Sequence, residues 1–356
     1  MTRKWRRHHM IHEILQEPSA VESTLLNLDE KLHSESIDLK GFDICYLTGS
    51  GSSYHACIAG QYAISSFVGA ISSSIPASEF ASWIPPHAGR RALTIAVSQS
   101  GESIDVLNAA KAAIENKFTV LAISNTAGSA LSRIAHHTLL TSAGREKAVT
   151  ATKTYVCQLA ALYLLALEMK AQREGVTASL RRLRHQLLIS RKILERTLEI
   201  SDEASKKLAE RFSGNNLFFV LGSGPNYATA LEGTLKLKEA AHVVAEGFAS
   251  REFLHGPMQL IGEGTPIVTV MTPDEHELLS GLISSLVRFG APVVWIGENL
   301  TLSMRKDVEP IELSSGFHKA FTPMAYVLPL QLFAYYSSVA RGLNPDKPDK
   351  LSKVVK

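Results

Sequence analysis

Cysteine is scarce: Cys45, Cys57 and Cys157 are the only three in 356 residues, each inside an apolar run. Their spacing suggests neither a zinc site nor a disulfide framework, which fits a reducing compartment. A strong charge of either sign is also missing. The net charge of +3 is too mild to mark a nucleic-acid binder. The basic cluster Arg3-Lys4-Trp5-Arg6-Arg7 reads as a solvated N-terminal arm. No apolar run is long enough to span a bilayer. The best candidate, Val156 to Met169, is interrupted by Gln158 and Glu168 and falls short of the ~20 residues required. The chain starts basic and continues into Met10-Ile11-His12-Glu13, so no secretory leader is expected. His8, His9, His12, His136 and His137 lack partnered metal-ligand spacing. The expectation is a soluble, cytoplasmic protein with no membrane or nucleic-acid partner, no metal and no cofactor.

What is present points to layered α/β architecture. At 45% hydrophobic the chain can fill a packed interior, and its length suggests two domains, since single cores stop growing near ~250–300 residues. β-rich runs at Ile44 to Thr48, Leu93 to Val97, Val120 to Ile123 and Thr138 to Leu140 alternate with helical stretches such as Ile104 to Asn116. That alternation predicts parallel sheets covered by helices.

The pattern occurs twice. Gly49-Ser50-Gly51 with Tyr54 matches Gly222-Ser223-Gly224 with Tyr227, at an offset of 173 residues. Glu79-Phe80 and Glu252-Phe253, the runs at Val120 and Val293, and Gln158 and Gln331 repeat at the same offset. A duplicated domain follows, with copies at 41–170 and 214–343. An N-terminal helical arm over 1–40, a charged helical connector over 171–213 and a tail over 344–356 complete the expected organisation. After the second predicted strand, copy one carries Ser98-Gln99-Ser100-Gly101-Glu102-Ser103, whereas copy two carries Met271-Thr272-Pro273-Asp274-Glu275-His276. One copy keeps an anion loop and the other has lost it.

Ligands of open parallel sheets bind outside the carboxyl ends of the strands, where helix N-termini favour anions. Copy one places three hydroxyl-rich loops there: 50–53, 98–103 and 149–152. Three converging loops favour phosphate over simple N-capping. A dinucleotide site is a weak reading, because tyrosine replaces the third glycine of the fingerprint. In copy two, Glu232, Lys236 and Glu239 share one helical face. Either a solvated ion-pair stripe or an acid–base group has this spacing. His255, before Gly256-Pro257, is expected on a loop, where it could divide proton transfers with a glutamate. Four lysines in the last ten residues are either solubilising charge or include one able to form an imine.

Together these segments resemble the tandem sugar isomerase (SIS) domain family. The markers are Met10-Ile11-His12-Glu13-Ile14-Leu15-Gln16-Glu17-Pro18, the 98–103 loop, Leu235-Lys236-Leu237-Lys238-Glu239 with His255-Gly256-Pro257, and Leu351-Ser352-Lys353. The resemblance implies two flavodoxin-like three-layer sandwiches. It implies that Ser53, Ser98, Gln99, Ser100 and Ser103 hold a sugar phosphate, with Glu146, Val149 and Ser352 lining the same pocket. By the same resemblance Glu239 moves a proton between carbons 1 and 2, assisted by Lys236. His255 opens the sugar ring from across a homodimer, and Lys353 forms an imine. One departure is Ala151, where the family often places serine.

Members that use glutamine carry a glutaminase domain whose catalytic cysteine follows the initiator methionine. Here Thr2 stands in that place, and the residues before Gly41 are too few for another domain. The expectation is therefore chemistry with free ammonia, as in SIS-type glucosamine-6-phosphate deaminases. The stretches 143–149, 252–257 and 344–348 look closer to those than to the glutamine-using members. The alternatives are an ammonia-dependent synthase, a fructosamine-type 6-phosphate deglycase and a non-catalytic phosphosugar sensor.

Overall fold

Near-continuous apolar runs become central strands. In the computed structural model, which describes residues 7–34, 37–85, 91–300 and 308–353, the first sheet comprises β1 (Ile44–Gly49), β2 (Ile71–Pro76), β3 (Ala92–Ser98), β4 (Thr119–Ser124) and β5 (His137–Leu140). β1 and β3 are buried at every position, as strands covered on both faces must be. All pairings are parallel, in the order β2-β1-β3-β4-β5. Winding direction reverses between β1 and β3, the switch point at which such a sheet opens a crevice at the carboxyl ends of its strands.

The second sheet comprises β6 (Leu217–Gly222), β7 (Val244–Ala249), β8 (Ile267–Met271), β9 (Val293–Gly297) and β10 (Glu309–Glu312). Its order, β10-β9-β8-β6-β7, is the same winding read from the opposite edge. β6 and β7 begin and end 173 residues after β1 and β2, so the repeat seen in sequence is a repeat of topology. The fold is α/β with a duplicated domain. The edge strands β2 and β7 were not among the predicted strands.

Each sheet sits in its own compact unit. One comprises Gln16–Glu146, Ala151–Arg191 and Ser352–Lys356. One face of its sheet packs Tyr46, Phe80, Ala109 and Phe118 into a core. Helix Ser52–Val68 packs on both the sheet and helix Lys153–Glu174. The latter helix is buried from Lys153 through Leu167, which explains its largely apolar sequence without a bilayer. No helix among the described residues is long and apolar enough to cross a membrane.

The other unit comprises Met1–Leu15, Lys147–Thr150 and Lys192–Leu351. Phe219, Phe253, Leu282 and Trp295 form the core on one face of its sheet. Helices Asn226–Ala241 and Pro323–Ala340 pack together closely: a Cβ at Gly233 would lie 2.6 Å from Leu330. Helix His9–Leu15 belongs to this unit and helix Glu17–Ser34 to the other. Arg7 is exposed, and Thr2 and the rest of the basic cluster lie outside the described residues.

Gly101 shows why the 98–103 turn needs glycine. Its φ is +68°, and an added Cβ would meet Ser129 Oγ at 2.2 Å and Ser129 Cβ at 2.5 Å. Ser129 cannot yield freely, since its side chain caps helix Ala130–Ile134. Gly101→Ala is expected to lose on the order of 3 kcal/mol, from left-handed strain plus overpacking, measured as the shift of the urea midpoint.

Candidate active site

At the carboxyl end of β3 the chain turns through residues 98–103 into helix Ile104–Glu115. Ser98 Oγ accepts the Gly101 N–H at 3.1 Å and Ser100 Oγ accepts the Glu102 N–H at 3.1 Å. Each hydroxyl thus shapes the turn and keeps an O–H to donate. Ser103 occupies the N-cap position of the helix without making a side-chain cap bond. Ser53, in the first turn of helix Ser52–Val68, accepts from Gln158 Nε2 at 3.0 Å.

A cavity of about 790 Å³ lies beside this turn, with Gln99, Ser100, Asn125, Arg145, Glu146 and Lys353 among its lining residues. Glu146 is buried and accepts the Thr152 N–H at 2.9 Å, the Thr154 hydroxyl at 2.7 Å and Lys353 Nζ at 2.6 Å. Burial alone would raise its carboxyl. The Lys353 charge outweighs burial, together with these hydrogen bonds, and holds Glu146 below its usual range.

A depressed folded-state value stabilises the fold above the unfolded value of ~4.3; that contribution disappears as pH falls through the folded value. Glu146→Gln should therefore lower stability at neutral pH and flatten the acid limb. Urea titrations across pH 3 to 5 (roughly, set by the reference carboxyl value) check this through the difference between wild type and variant, which should shrink toward acid.

The acid–base candidates lie in the other unit. Helix Asn226–Ala241 carries Glu232, Lys236 and Glu239. Lys236 Nζ is 3.2 Å from Glu232 Oε1 and 2.7 Å from Glu239 Oε2. The side chains of Glu232 and Lys236 are fully buried, while that of Glu239 is 17% exposed. This is an interior ion triad and not a solvated stripe. Burial would depress the Lys236 ammonium, but the charges of Glu232 and Glu239 overcome it and push it upward. Lys236 is thus a fixed cation. Two carboxylates share it, leaving one negative charge over, and Glu239 is the member that reaches the surface.

His255 follows the short turn Glu252–Leu254 and is exposed. Phe253 anchors that turn, lying 5.1 Å from Phe219 and 5.5 Å from Phe248 between ring centroids. In the first repeat the equivalent stretch is helix Ala77–Trp83. Gly256, at φ +132°, and Pro257 break that helix in the second. No hydrogen bond or ion pair joins His255 to Glu239 among the described residues.

Of the site residues expected from the sequence, Gln99, Ser100, Glu146 and Lys353 line one cavity. Ser53, Ser98 and Ser103 do not line it. Ser352 is exposed next to Lys353. Val149 belongs to the other unit, where its N–H donates to the Asp346 carbonyl at 2.9 Å. The 149–152 loop does not present its hydroxyls to a ligand: Thr150 donates to the Pro345 carbonyl at 3.2 Å and Thr152 to Glu146 at 3.4 Å. Sequence reasoning missed Asn125, Thr126 and Arg145 on the cavity wall. Asn125 and Thr126 follow directly on β4, so the carboxyl-end rule applied to that strand would have found them. Among the described residues no group of His, Cys, Asp or Glu could hold a metal ion.

A model of the SIS domain matches residues 44–168 and again 212–341. The glutamine–fructose-6-phosphate aminotransferase (isomerizing) of Methanothermobacter thermautotrophicus is 39% identical over 350 residues, covering 98% of this chain and 57% of that protein. The chain thus spans under three fifths of the length of this relative. The C-terminal domain of glucosamine-fructose-6-phosphate aminotransferase from Francisella tularensis superimposes with a TM-score of 0.85 at 26% identity, covering 96% of this chain and 98% of that one. Glucosamine-6-phosphate deaminase from Thermotoga maritima gives 0.80 at 23% identity, covering 98% and 99%, a likeness of fold alone. The likeness in sequence is therefore to the aminotransferases, and the expected nearness to deaminases is not carried by it. With the family model matched once on each parallel sheet, the chain belongs to the SIS domain family and carries the domain twice.

Proposed function

We propose that the chain interconverts glucosamine 6-phosphate and fructose 6-phosphate, releasing or taking up ammonia. The observation that carries this reading is the interior triad, which leaves Glu239 as a partly exposed carboxylate beside a fixed cation. The 98–103 turn and Ser53 hold the phosphate, as small donors at strand ends suit an anion. His255, on its exposed turn, protonates the ring oxygen. Glu239 removes the proton at carbon 2 and returns it at carbon 1, and Lys236 stabilises the negative charge that develops. The product is the imine of the ketose. Water hydrolyses it, directly or after exchange onto Lys353, giving fructose 6-phosphate and ammonia. A homodimer sharing His255 between subunits completes the proposal.

The sequence stretches suggested the releasing direction, but the aminotransferase relatives support the synthetic one. The same residues serve both, because the steps are reversible. The test runs both directions with purified protein: ammonia from glucosamine 6-phosphate, and glucosamine 6-phosphate from fructose 6-phosphate with ammonium chloride. Turnover in either direction is expected. Saturable binding of both sugars without turnover in either direction would make the chain a sensor.

A further inference from the structure

The carboxyl end of the second sheet has a cavity of its own, about 350 Å³, lined by Thr272, Asp274, Glu298, Phe317, His318 and Tyr326 together with Lys319. It is the counterpart of the first cavity. At the repeat offset of 173, Gln99 becomes Thr272, Asn125 becomes Glu298, Arg145 becomes His318 and Glu146 becomes Lys319. The charge is inverted: Arg145 and Lys353 against Glu146 in the first, Asp274 and Glu298 against Lys319 in the second.

Two details make this cavity unsuited to a phosphate. The turn after β8 is closed by its own acids: Glu275 Oε2 accepts the Thr272 N–H at 2.8 Å and the Thr272 hydroxyl at 3.0 Å. The chain's own carboxylate thus occupies the donors that an anion would need. The second detail is Glu298. In the first repeat Asn125 Oδ1 accepts the Ala143 N–H at 3.0 Å, and at the same offset Glu298 Oε2 accepts the Gly316 N–H at 3.1 Å. Asparagine would make that bond equally well. The second oxygen, Oε1, accepts from the Ser315 hydroxyl of that loop and from the hydroxyl of the buried Tyr326, the latter at 3.0 Å, so the carboxylate brings a negative charge that asparagine lacks in the first repeat. Asp274, paired with Lys319 at 2.9 Å, stays ionised because the Thr272 hydroxyl and then Lys319 hold it below its ordinary value. His318 is held below its ordinary value chiefly by burial, and its Nδ1 accepts the Ala320 N–H at 3.3 Å. It therefore enters the cavity as a neutral group.

We propose that this second cavity binds an unphosphorylated, hydroxyl-bearing primary amine about the size of an amino sugar. The ammonium lies toward Glu298 and Asp274, and the carbon face lies against Phe317 and Tyr326. The absence of a metal-holding group among the described residues favours an organic cation over a metal ion.

The test titrates the full chain with glucosamine and, separately, N-acetylglucosamine, which differ at the charged nitrogen. Saturating fructose 6-phosphate is present throughout to fill the phosphate-binding cavity, so the result does not depend on turnover. Saturation-transfer NMR gives the affinities. Glucosamine is expected to bind at least tenfold more tightly than its acetylated form. Asp274→Asn, at an exposed position, should remove most of that preference, as should Glu298→Gln. Equal affinity for the two sugars, no saturable glucosamine binding, or a preference unchanged in Asp274→Asn would overturn the proposal.

Discussion

Glu239→Gln is expected to lower turnover in both directions by ~10²–10⁴, the usual worth of a positioned general base. The physical reason lies in the division of labour within the triad. Lys236 is 2.7 Å from Glu239 and 3.2 Å from Glu232, so one carboxylate is neutralised and the other is left with charge to use. Glu232 has no exposed side-chain surface and cannot meet a substrate. Glutamine at 239 keeps the shape and still offers Lys236 an oxygen, while Glu232 continues to balance the cation. The variant should therefore fold and melt close to wild type while losing activity in kcat, with KM for the sugar phosphate little changed. Glu232→Gln is the contrasting control, expected to retain far more activity. Undiminished turnover in the Glu239 variant would remove that residue from the chemistry.

Lys236→Met is expected to have the largest effect on stability. Removing one partner from a buried ionic group leaves uncompensated charge and typically costs about 3–5 kcal/mol. Here two carboxylates on one helix would lose their shared cation, with Glu232 fully buried. For a unit of this size the loss corresponds to a fall in melting temperature of roughly 10 °C. The sign of its pH dependence is fixed. Without Lys236 the two acids are disfavoured as anions, so protonation relieves the strain and the deficit shrinks as pH falls below neutrality. The double variant Glu232→Gln with Lys236→Met should recover part of the loss, because the pair is coupled. A deficit independent of pH, with no recovery in the double variant, would mean that the loss is one of packing. The same substitution should also lower activity, so the stability measurement needs to be made on the equilibrium unfolding curve.

Much of the fold was legible because its strongest signals are local. β1, β3 and β4 are apolar runs ending at loops of small residues, and the fixed offset of 173 carried the duplication without any structural knowledge. β2 and β7 were not legible. Ile71–Pro76 contains three serines, and its residues are half-buried or exposed, as an edge strand permits, so it carries neither a hydrophobic run nor clean alternation. The spacing of Glu232, Lys236 and Glu239 showed that they share a face, but helical periodicity does not say what covers that face. That helix packs against β6, β7 and Pro323–Ala340, the last without an acidic or basic residue, and only tertiary packing separates an interior triad from a solvated stripe. For the first cavity, the 98–103 turn was visible as a run of hydroxyls and glycine. Asn125 and Thr126 were not, because a single amide and hydroxyl after a strand look like any loop. In the second repeat, loss of the serines was plain from sequence, whereas the use of Glu275 to close the turn depends on geometry.

The most direct measurement is solvent hydrogen exchange. Incubated with fructose 6-phosphate and ammonium chloride in deuterium oxide, the wild-type chain should place deuterium at carbon 1 of the ketose, read by proton NMR. Glu239→Gln should suppress that exchange while still binding the sugar phosphate. No exchange by wild type, or exchange undiminished in the variant, would contradict a mechanism in which this carboxylate carries the proton.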